Sequence, residues 1–421
     1  MSYLDQLASR FPGVPSEALL KTDLLRRGVR IAEIGFGHKY YSHHDEKGQK
    51  TQGSNARQRQ GSVMLPGGSH TFMGQNPESP FVLRLSSDET KAILCIDANR
   101  DGHEEEVCEV TPGPQRQWTS QRTSAGKPLA TIFVPSLGGA CGPIAVFLLR
   151  HCEFTVADEE CKFCSWVRMG KSTELRPDPE GMREALSIIL EEQKSIGYLA
   201  FSGGSLFKRT KEADPFVDYM EALRSTGATI PPSIAAVQAL DKGDSLRLKQ
   251  AGFDYVAYSM EVWDERVWPL VIPGKTRSLG RQAWMDRLKE AVDVFGPGHV
   301  QCNFVAGVEM ASGVYGSPEE AADSTLEGMR WCYENGIYPK YTVWIVPGAS
   351  LWGDREPAPL EYYARLLPGR QALFAHYDLP VPATDCERCL TESCEADLAR
   401  LDPSRFAIGA AGRHPWKTAH P

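Results

Sequence analysis

The sequence predicts an α/β fold: a partial, TIM-like (βα)6 barrel with an N-terminal β-rich region and a cysteine-containing C-terminal tail. Three observations carry this. From residue 144 onward, apolar runs rich in β-branched and aromatic residues alternate with amphipathic stretches. There are six such pairs, and several of the amphipathic stretches close on glycine, as in "RQAWMDRLKEAVDVFG" and "DSLRLKQAG". Ahead of them lie short alternating runs separated by turn residues, which read as hairpins. The expected organisation is residues 1–140, 141–380 and 381–421.

In chain order, "PSEALLKTDLLRRG" predicts a helix, and the polar residues 41–80, rich in Gly, Gln, Ser and His, predict a long loop. "FVLRLS" at 81–86 and "KAILCIDA" at 91–98 predict strands, and "NRDGHEEE" predicts a turn into "VCEV". The barrel strands are then "IAVFLLR", "YLAFSGGS", "SIAAVQAL", "YVAYSMEV", "VQCNFVAGVEM" and "YTVWIVPG". Strands alternating with helices dictate a parallel sheet with right-handed crossovers, and in such sheets ligands meet the C-terminal strand ends.

Composition narrows the function classes. With 421 residues, the chain can bury a sizeable core. A formal charge of -8 argues against general attraction to nucleic acid. No apolar run approaches the ~20 residues of a membrane helix, and "MSYLDQLASRFPG" has no basic-then-apolar leader, so the expectation is a cytoplasmic protein. Eleven cysteines are present. Six fall into two tight groups, which in such a chain favours metal ligation over disulfides. The other five, Cys95, Cys108, Cys141, Cys302 and Cys332, are expected to be buried and inert.

The first group lies in "LLRHCEFTVADEECKFCSW", just past the first barrel strand: Cys152, Cys161 and Cys164. A four-iron cluster ordinarily takes four thiolates, so three leave one iron free to hold a ligand. A structural zinc would need a fourth donor, and His151 would have to fold back onto its neighbour. Zinc and an assembly of redox thiols remain the alternatives.

"CKFC", with Phe163 before Cys164, on the loop after the first strand of a six-unit α/β barrel, resembles the cluster loop of the radical S-adenosylmethionine (radical SAM) enzymes, over residues 144 to about 350. The resemblance implies a [4Fe-4S] cluster on Cys152, Cys161 and Cys164, with S-adenosylmethionine chelating its free iron and cleaved reductively to start radical chemistry. It also implies a one-electron reductant such as flavodoxin or ferredoxin. The spacing departs from the family's: eight residues instead of three separate Cys152 from Cys161, an insertion a loop tolerates at modest entropic cost.

Further matches follow in strand order. "FSGGS" brings Ser202, Gly203 and Gly204 to the place of the glycine motif that receives the methionine amino group, with Ser205 where an acid often stands. "YSMEV" offers Ser259 and Glu261 as the ribose pair. "VAGVE", with Glu309, resembles the adenine-packing segment, and "WIVPG" the strand whose backbone reads the adenine edge. In "IPGKTRS", Arg277 is the candidate for the methionine carboxylate. Structural readings stand beside each: a tight turn at the glycines, a core ion pair at Glu261, a solvated Arg277.

Outside the barrel, Cys386, Cys389 and Cys394 could hold a second iron-sulfur cluster or a zinc, with His414, Cys141 or substrate as fourth ligand, or could simply cap the fold. "DANRDGHEEEVC" resembles a calcium loop at Asp97, Asn99, Asp101 and Gly102 but ends on Cys108, and reads better as a hairpin turn. His43, His44 and Asp45 read as a solvated loop. The sequence thus predicts a radical SAM enzyme acting on a small molecule in a biosynthetic or modification pathway, with no nucleic-acid or membrane partner. A transferase of a methyl or aminocarboxypropyl group, and a metal-binding redox sensor or scaffold without this chemistry, are the alternatives.

Overall fold

The computed structural model describes residues 1–31, 59–74, 76–85, 92–112, 117–135, 143–149, 151–165, 178–193, 196–346, 350–382 and 393–406. Cys141, Cys386, Cys389, His414, His43, His44 and Asp45 lie outside the described residues.

Two helices open the chain, α1 (Tyr3–Arg10) and α2 (Ser16–Arg27). A capping box starts α1: the Ser2 hydroxyl accepts from the Asp5 N–H, and the Asp5 carboxylate accepts from the Ser2 N–H. A six-stranded sheet follows: β1 (Arg30–Ile31), β2 (Arg59–Met64), β3 (His70–Gly74), β4 (Phe81–Leu85), β5 (Ala92–Ile96) and β6 (Glu105–Pro112), in the order β1-β4-β5-β6-β2-β3. β2 and β3 pair antiparallel within the polar stretch expected to be loop. What the composition hides is that His70, Thr71 and Phe72 of this stretch are buried, with His70 in a 2.7 Å hydrogen bond to Ser62. Satisfied polar groups can line an interior strand.

The second sheet has seven strands: β7 (Val134–Pro135), β8 (Ile144–Leu149), β9 (Leu199–Gly203), β10 (Ser233–Ala236), β11 (Tyr255–Ala257), β12 (Val300–Ala306) and β13 (Tyr338–Val343). β8 to β13 pair parallel in strict sequence order, and β7 adds an antiparallel edge beside β8 that the sequence did not suggest. β7 lies before residue 141, so the second sheet begins slightly upstream of the expected boundary. The crossover helices are α3 (Pro179–Gln193), α4 (Ala213–Ser225), α5 (Lys242–Ala251), the short α6 (Pro273–Ser278) with α7 (Arg281–Phe295), and α8 (Pro318–Glu334); α9 (Leu360–Tyr377) follows β13.

Sequential order with one crossover hand puts the helices on one face. Accordingly Leu199, Phe201, Ala235 and Val256 join the main core with helix residues such as Leu223, Leu248 and Leu288. The alternate residues Ile234, Tyr255 and Ala257 form a separate small cluster on the other face with Ala200 and Ala236.

The free edge at β13 is covered. The Tyr341 N–H donates to Glu395 Oε1 at 2.8 Å, and Glu395 precedes the last helix, α10 (Asp397–Leu401). Covering an edge in this way removes a template for unwanted pairing. α10 packs on α2, where the buried Lys21 and Asp397 pair at 2.7 Å. Cys394 is buried in the same seam, its sulfur 3.4 Å from both the Thr22 hydroxyl and the Ala18 carbonyl, and burial pushes its thiol up to about 12. Cys95, Cys302 and Cys332 are buried as expected, and Cys108 is half-buried.

Candidate functional site

The cysteine loop leaves β8 at the C-terminal edge of the parallel sheet. Cys152 caps a short helical turn, Glu153–Val156, and its carbonyl accepts from the Thr155 N–H at 3.2 Å. A further turn brings the Cys164 N–H to the Cys161 carbonyl at 3.0 Å, with Phe163 packed between them against the main core. The residues that widen the cysteine spacing do not hang free. The Gly274 N–H donates to the Glu159 carbonyl at 3.0 Å and the Lys162 N–H to the Val271 carbonyl at 2.8 Å, so the loop is stitched to the segment that follows β11. Phe154 is buried against Gly274, where an added Cβ would stand 2.6 Å from its ring.

The glycine turn after β9 packs under the same loop. The Gly204 N–H donates to the Leu149 carbonyl at 2.7 Å, and the Glu153 N–H donates to the Ser205 carbonyl at 2.8 Å. A Cβ on Gly204 would collide with the His151 carbonyl and lie 2.7 Å from the Cys152 nitrogen. These glycines are therefore required for close backbone approach. Ser202, within β9, pairs with Phe147 of β8.

At the end of β11, Glu261 adopts φ 66°, a left-handed conformation uncommon for a residue with a Cβ. Its backbone is held by the Asn303 carbonyl and the Val305 N–H, at 3.0 and 2.8 Å. Its carboxylate meets Lys275 Nζ at 2.6 Å, and the same ammonium donates to the Ser259 carbonyl at 3.0 Å. Ser259 and Glu261 are thus brought together through Lys275. Arg277, two positions further along α6, points elsewhere: it pairs with Glu159 at 2.6 Å and its side chain is 62% exposed, the solvated reading of that residue.

Glu309 is buried among donors, accepting from the Thr325 hydroxyl at 2.6 Å, the Tyr362 hydroxyl at 2.5 Å and the Gly307 N–H at 3.0 Å. Burial raises its pKa against these hydrogen bonds. All three partners belong to the fold, which makes Glu309 a tie between β12, α8 and α9.

Three further side chains converge here that the sequence reading passed over. Lys275 is one. Glu212, buried at the start of α4, accepts from the Leu206 and Gln238 N–H groups, each at 2.9 Å, and from Gln238 Nε2 at 2.6 Å. It thereby ties the loop after β9 to the residues after β10, and burial raises its pKa. Gln238 Oε1 is buried without a partner. A signal for Lys275 did exist: Ile272, Lys275 and Leu279 fall on one helical stripe, whereas Arg277 falls on the opposite side.

The donor chemistry fits a cluster. Burial raises the pKa of Cys152, opposed by the Ser205 and Phe154 N–H groups that donate to its sulfur. Burial also pushes the Cys161 thiol up, opposed by the Lys275 cation. Buried thiolates need a cation or a metal to carry their charge. Among the described residues, no three Cys, His, Asp or Glu side chains gather as ligands of a single ion. A cubane instead takes each thiolate on a different iron, which suits thiols spread around a loop.

The three-thiol loop thus sits past the first of six sequential parallel strands, with a glycine turn beneath it after the second, the arrangement that the resemblance to radical SAM enzymes implies. A curated relative, bacteriochlorophyllide c C-7(1)-hydroxylase of Chlorobaculum limnaeum, is 22% identical over 315 residues, 69% of this chain and 71% of that protein. No family model matches. Among solved structures, methylornithine synthase aligns at 14% identity and TM-score 0.39 over 54% of this chain; the chain spans 61% of that protein, less than two thirds. A radical SAM methyltransferase from Sphaerobacter thermophilus aligns at 13% identity and TM-score 0.39, over 70% of this chain and 76% of that one. Overlaps this slight carry no argument about what this chain does. Among the described residues, no helix is long and apolar enough to cross a membrane.

Proposed function

We propose that Cys152, Cys161 and Cys164 hold a [4Fe-4S] cluster with one iron open to S-adenosylmethionine, and that the protein uses it to begin radical chemistry on a small molecule. The observation that carries this reading is the loop itself: three thiols, backbone donors from Ser205 and Phe154 on one of the sulfurs, and the Lys275 ammonium bearing on another. When bound, the cluster supplies one electron from an external flavodoxin- or ferredoxin-type reductant and leaves an iron for the methionine end of the cofactor.

This chain's own residues then have simpler tasks. The glycine turn at Gly203 and Gly204 keeps the backbone close beneath the thiols. Glu261 offers its carboxylate to the ribose hydroxyls, with Lys275 fixing its direction, and Ser202 and Ser259 flank the same edge. Phe163 shields the loop from water. The curated relative's name adds hydroxylation of a large ring system as a substrate class to try first. A methyl or aminocarboxypropyl transfer is the competing outcome, favoured by the altered cysteine spacing.

Anaerobic reconstitution with iron and sulfide, dithionite reduction and chromatography of the S-adenosylmethionine products test this. 5′-Deoxyadenosine is expected; methylthioadenosine would favour aminocarboxypropyl transfer, and S-adenosylhomocysteine methyl transfer. A Cys152→Ala/Cys161→Ala/Cys164→Ala variant that keeps its full iron content would overturn the proposal. Cys386, Cys389 and Cys394 are proposed only as a secondary site, and the hydrogen-bonded Cys394 favours a structural role for at least that member.

A further inference from the structure

Lys275 stands out among the buried charged groups that no sequence motif pointed to. It is 9% exposed, which is rare for lysine unless its charge is matched. Its matching partners are specific: Glu261 at 2.6 Å, the Ser259 carbonyl at 3.0 Å, and the Trp284 ring, whose centroid lies 4.7 Å from the ammonium. Burial opposes the charge, yet Glu261 and then Cys161 outweigh it, and the Lys275 pKa is raised. The same cation lowers the cost of charge on Cys161, on Cys152 and on the buried Glu212. One ammonium, held on Glu261 and the Ser259 carbonyl on the short helix that docks against the cysteine loop, thus bears electrostatically on two of the three thiols and on Glu212.

The backbone is built to hold it there. Gly274, immediately before Lys275, admits the Phe154 ring and the Glu159 carbonyl so closely that an added Cβ would collide with them, at 2.6 and 2.7 Å. The eight residues between Cys152 and Cys161 thus provide the surface against which α6 docks. At the other end of the ion pair, Glu261 keeps its left-handed backbone, a conformation that costs energy and persists only where the surroundings over-determine it.

We propose that Lys275 is a positioning residue for the cluster and its cofactor: it fixes the Glu261 carboxylate and sets a buried positive charge beside Cys161, favouring the reduced, more negative cluster. The inference rests on the cluster reading above and adds the identity of the charge that tunes it. A fixed cation close to a redox centre raises its potential, and a fixed anion lowers it.

The test uses the reconstituted holoenzyme, with iron per chain, midpoint potential by EPR-monitored titration and S-adenosylmethionine affinity as readouts. Lys275→Met is expected to keep its iron, to lower the potential, and to bind S-adenosylmethionine about tenfold more weakly, the loss of one charge-assisted contact. Lys275→Arg should restore most of the potential. Glu261→Gln should move the potential the other way, upward, because it leaves the cation unmatched; a merely structural pair would not give opposite signs. Unchanged potential and affinity in Lys275→Met overturn the inference. Should that variant not fold, an unchanged or lowered potential in Glu261→Gln overturns it instead. Wild-type protein that takes up no cluster defeats the underlying reading as well, and so is distinguishable from failure of the inference alone.

Discussion

Asp97 illustrates how a single carboxylate is put to use. It resembled the first ligand of a calcium loop, but its oxygens are taken up within the protein: Arg30 donates at 2.9 Å, and the Asp101 and Gly102 N–H groups donate at 3.1 and 3.3 Å. The Arg30 hydrogen bond, outweighing burial, holds its pKa below the ordinary value. A depressed native pKa means that the unfolded chain binds the proton more readily, so the stabilisation is present above the unfolded value of 3.8 and is lost as the pH falls through the native one. Asp97→Asn should therefore melt at a lower temperature than wild type at pH 7, with the gap closing on acidification; a gap independent of pH would refute this account. Added calcium should leave the wild-type melting temperature unchanged. Lys275 and Arg277 show the opposite fates of two cations on one short helix. One is sequestered against Glu261, and the other pairs with Glu159 at the surface, a contact of the kind worth about 0–1 kcal/mol. Arg277→Ala should accordingly leave iron content and S-adenosylmethionine affinity near wild type, and a tenfold loss of affinity would restore it as a carboxylate ligand.

Between elements, the decisive contacts are backbone against backbone. The glycine turn after β9, the cysteine loop after β8 and α6 after β11 touch where no side chain fits, so a single methyl should be felt by all three. Gly204→Ala and Gly274→Ala should each destabilise by about 1–3 kcal/mol, the usual cost of overpacking, and should lower iron uptake after reconstitution. Gly243→Ala is the control: it lies inside α5, and its nearest neighbour would be an ordinary 3.4 Å from the new Cβ. Full iron uptake by Gly204→Ala would show that the turn can move without disturbing Cys152. The pattern of elements was legible in the sequence because each barrel strand is a short apolar run bounded by turn residues. β2 and β3 were not, since their buried polar residues look like loop until their hydrogen-bond partners are known. β7 was too short to leave a periodic signal.

Over the whole molecule, the last described segment returns to the first. Lys21 on α2 pairs with Asp397 on α10, both nearly inaccessible, and Arg400 also donates to Asp397, at 2.6 Å. Removing one member of a buried pair leaves an unmatched charge, so Asp397→Ala should cost about 3–5 kcal/mol in urea unfolding, while Lys21→Met/Asp397→Leu should recover most of it. Equal losses in the single and double variants would show that the seam is held by packing alone. Sequence by itself determined the alternation that makes a sequential parallel sheet, the three thiols at its C-terminal edge and the glycine turn beneath them, because periodicity and spacing are local properties of the chain. Only the tertiary structure decided which polar groups spend themselves on the fold and which remain for chemistry. Glu309, Arg277 and Cys394 are satisfied by partners far away in the chain, while Lys275 and Glu212 are drawn into the site. Charge matching in a buried space depends on neighbours that no linear pattern specifies.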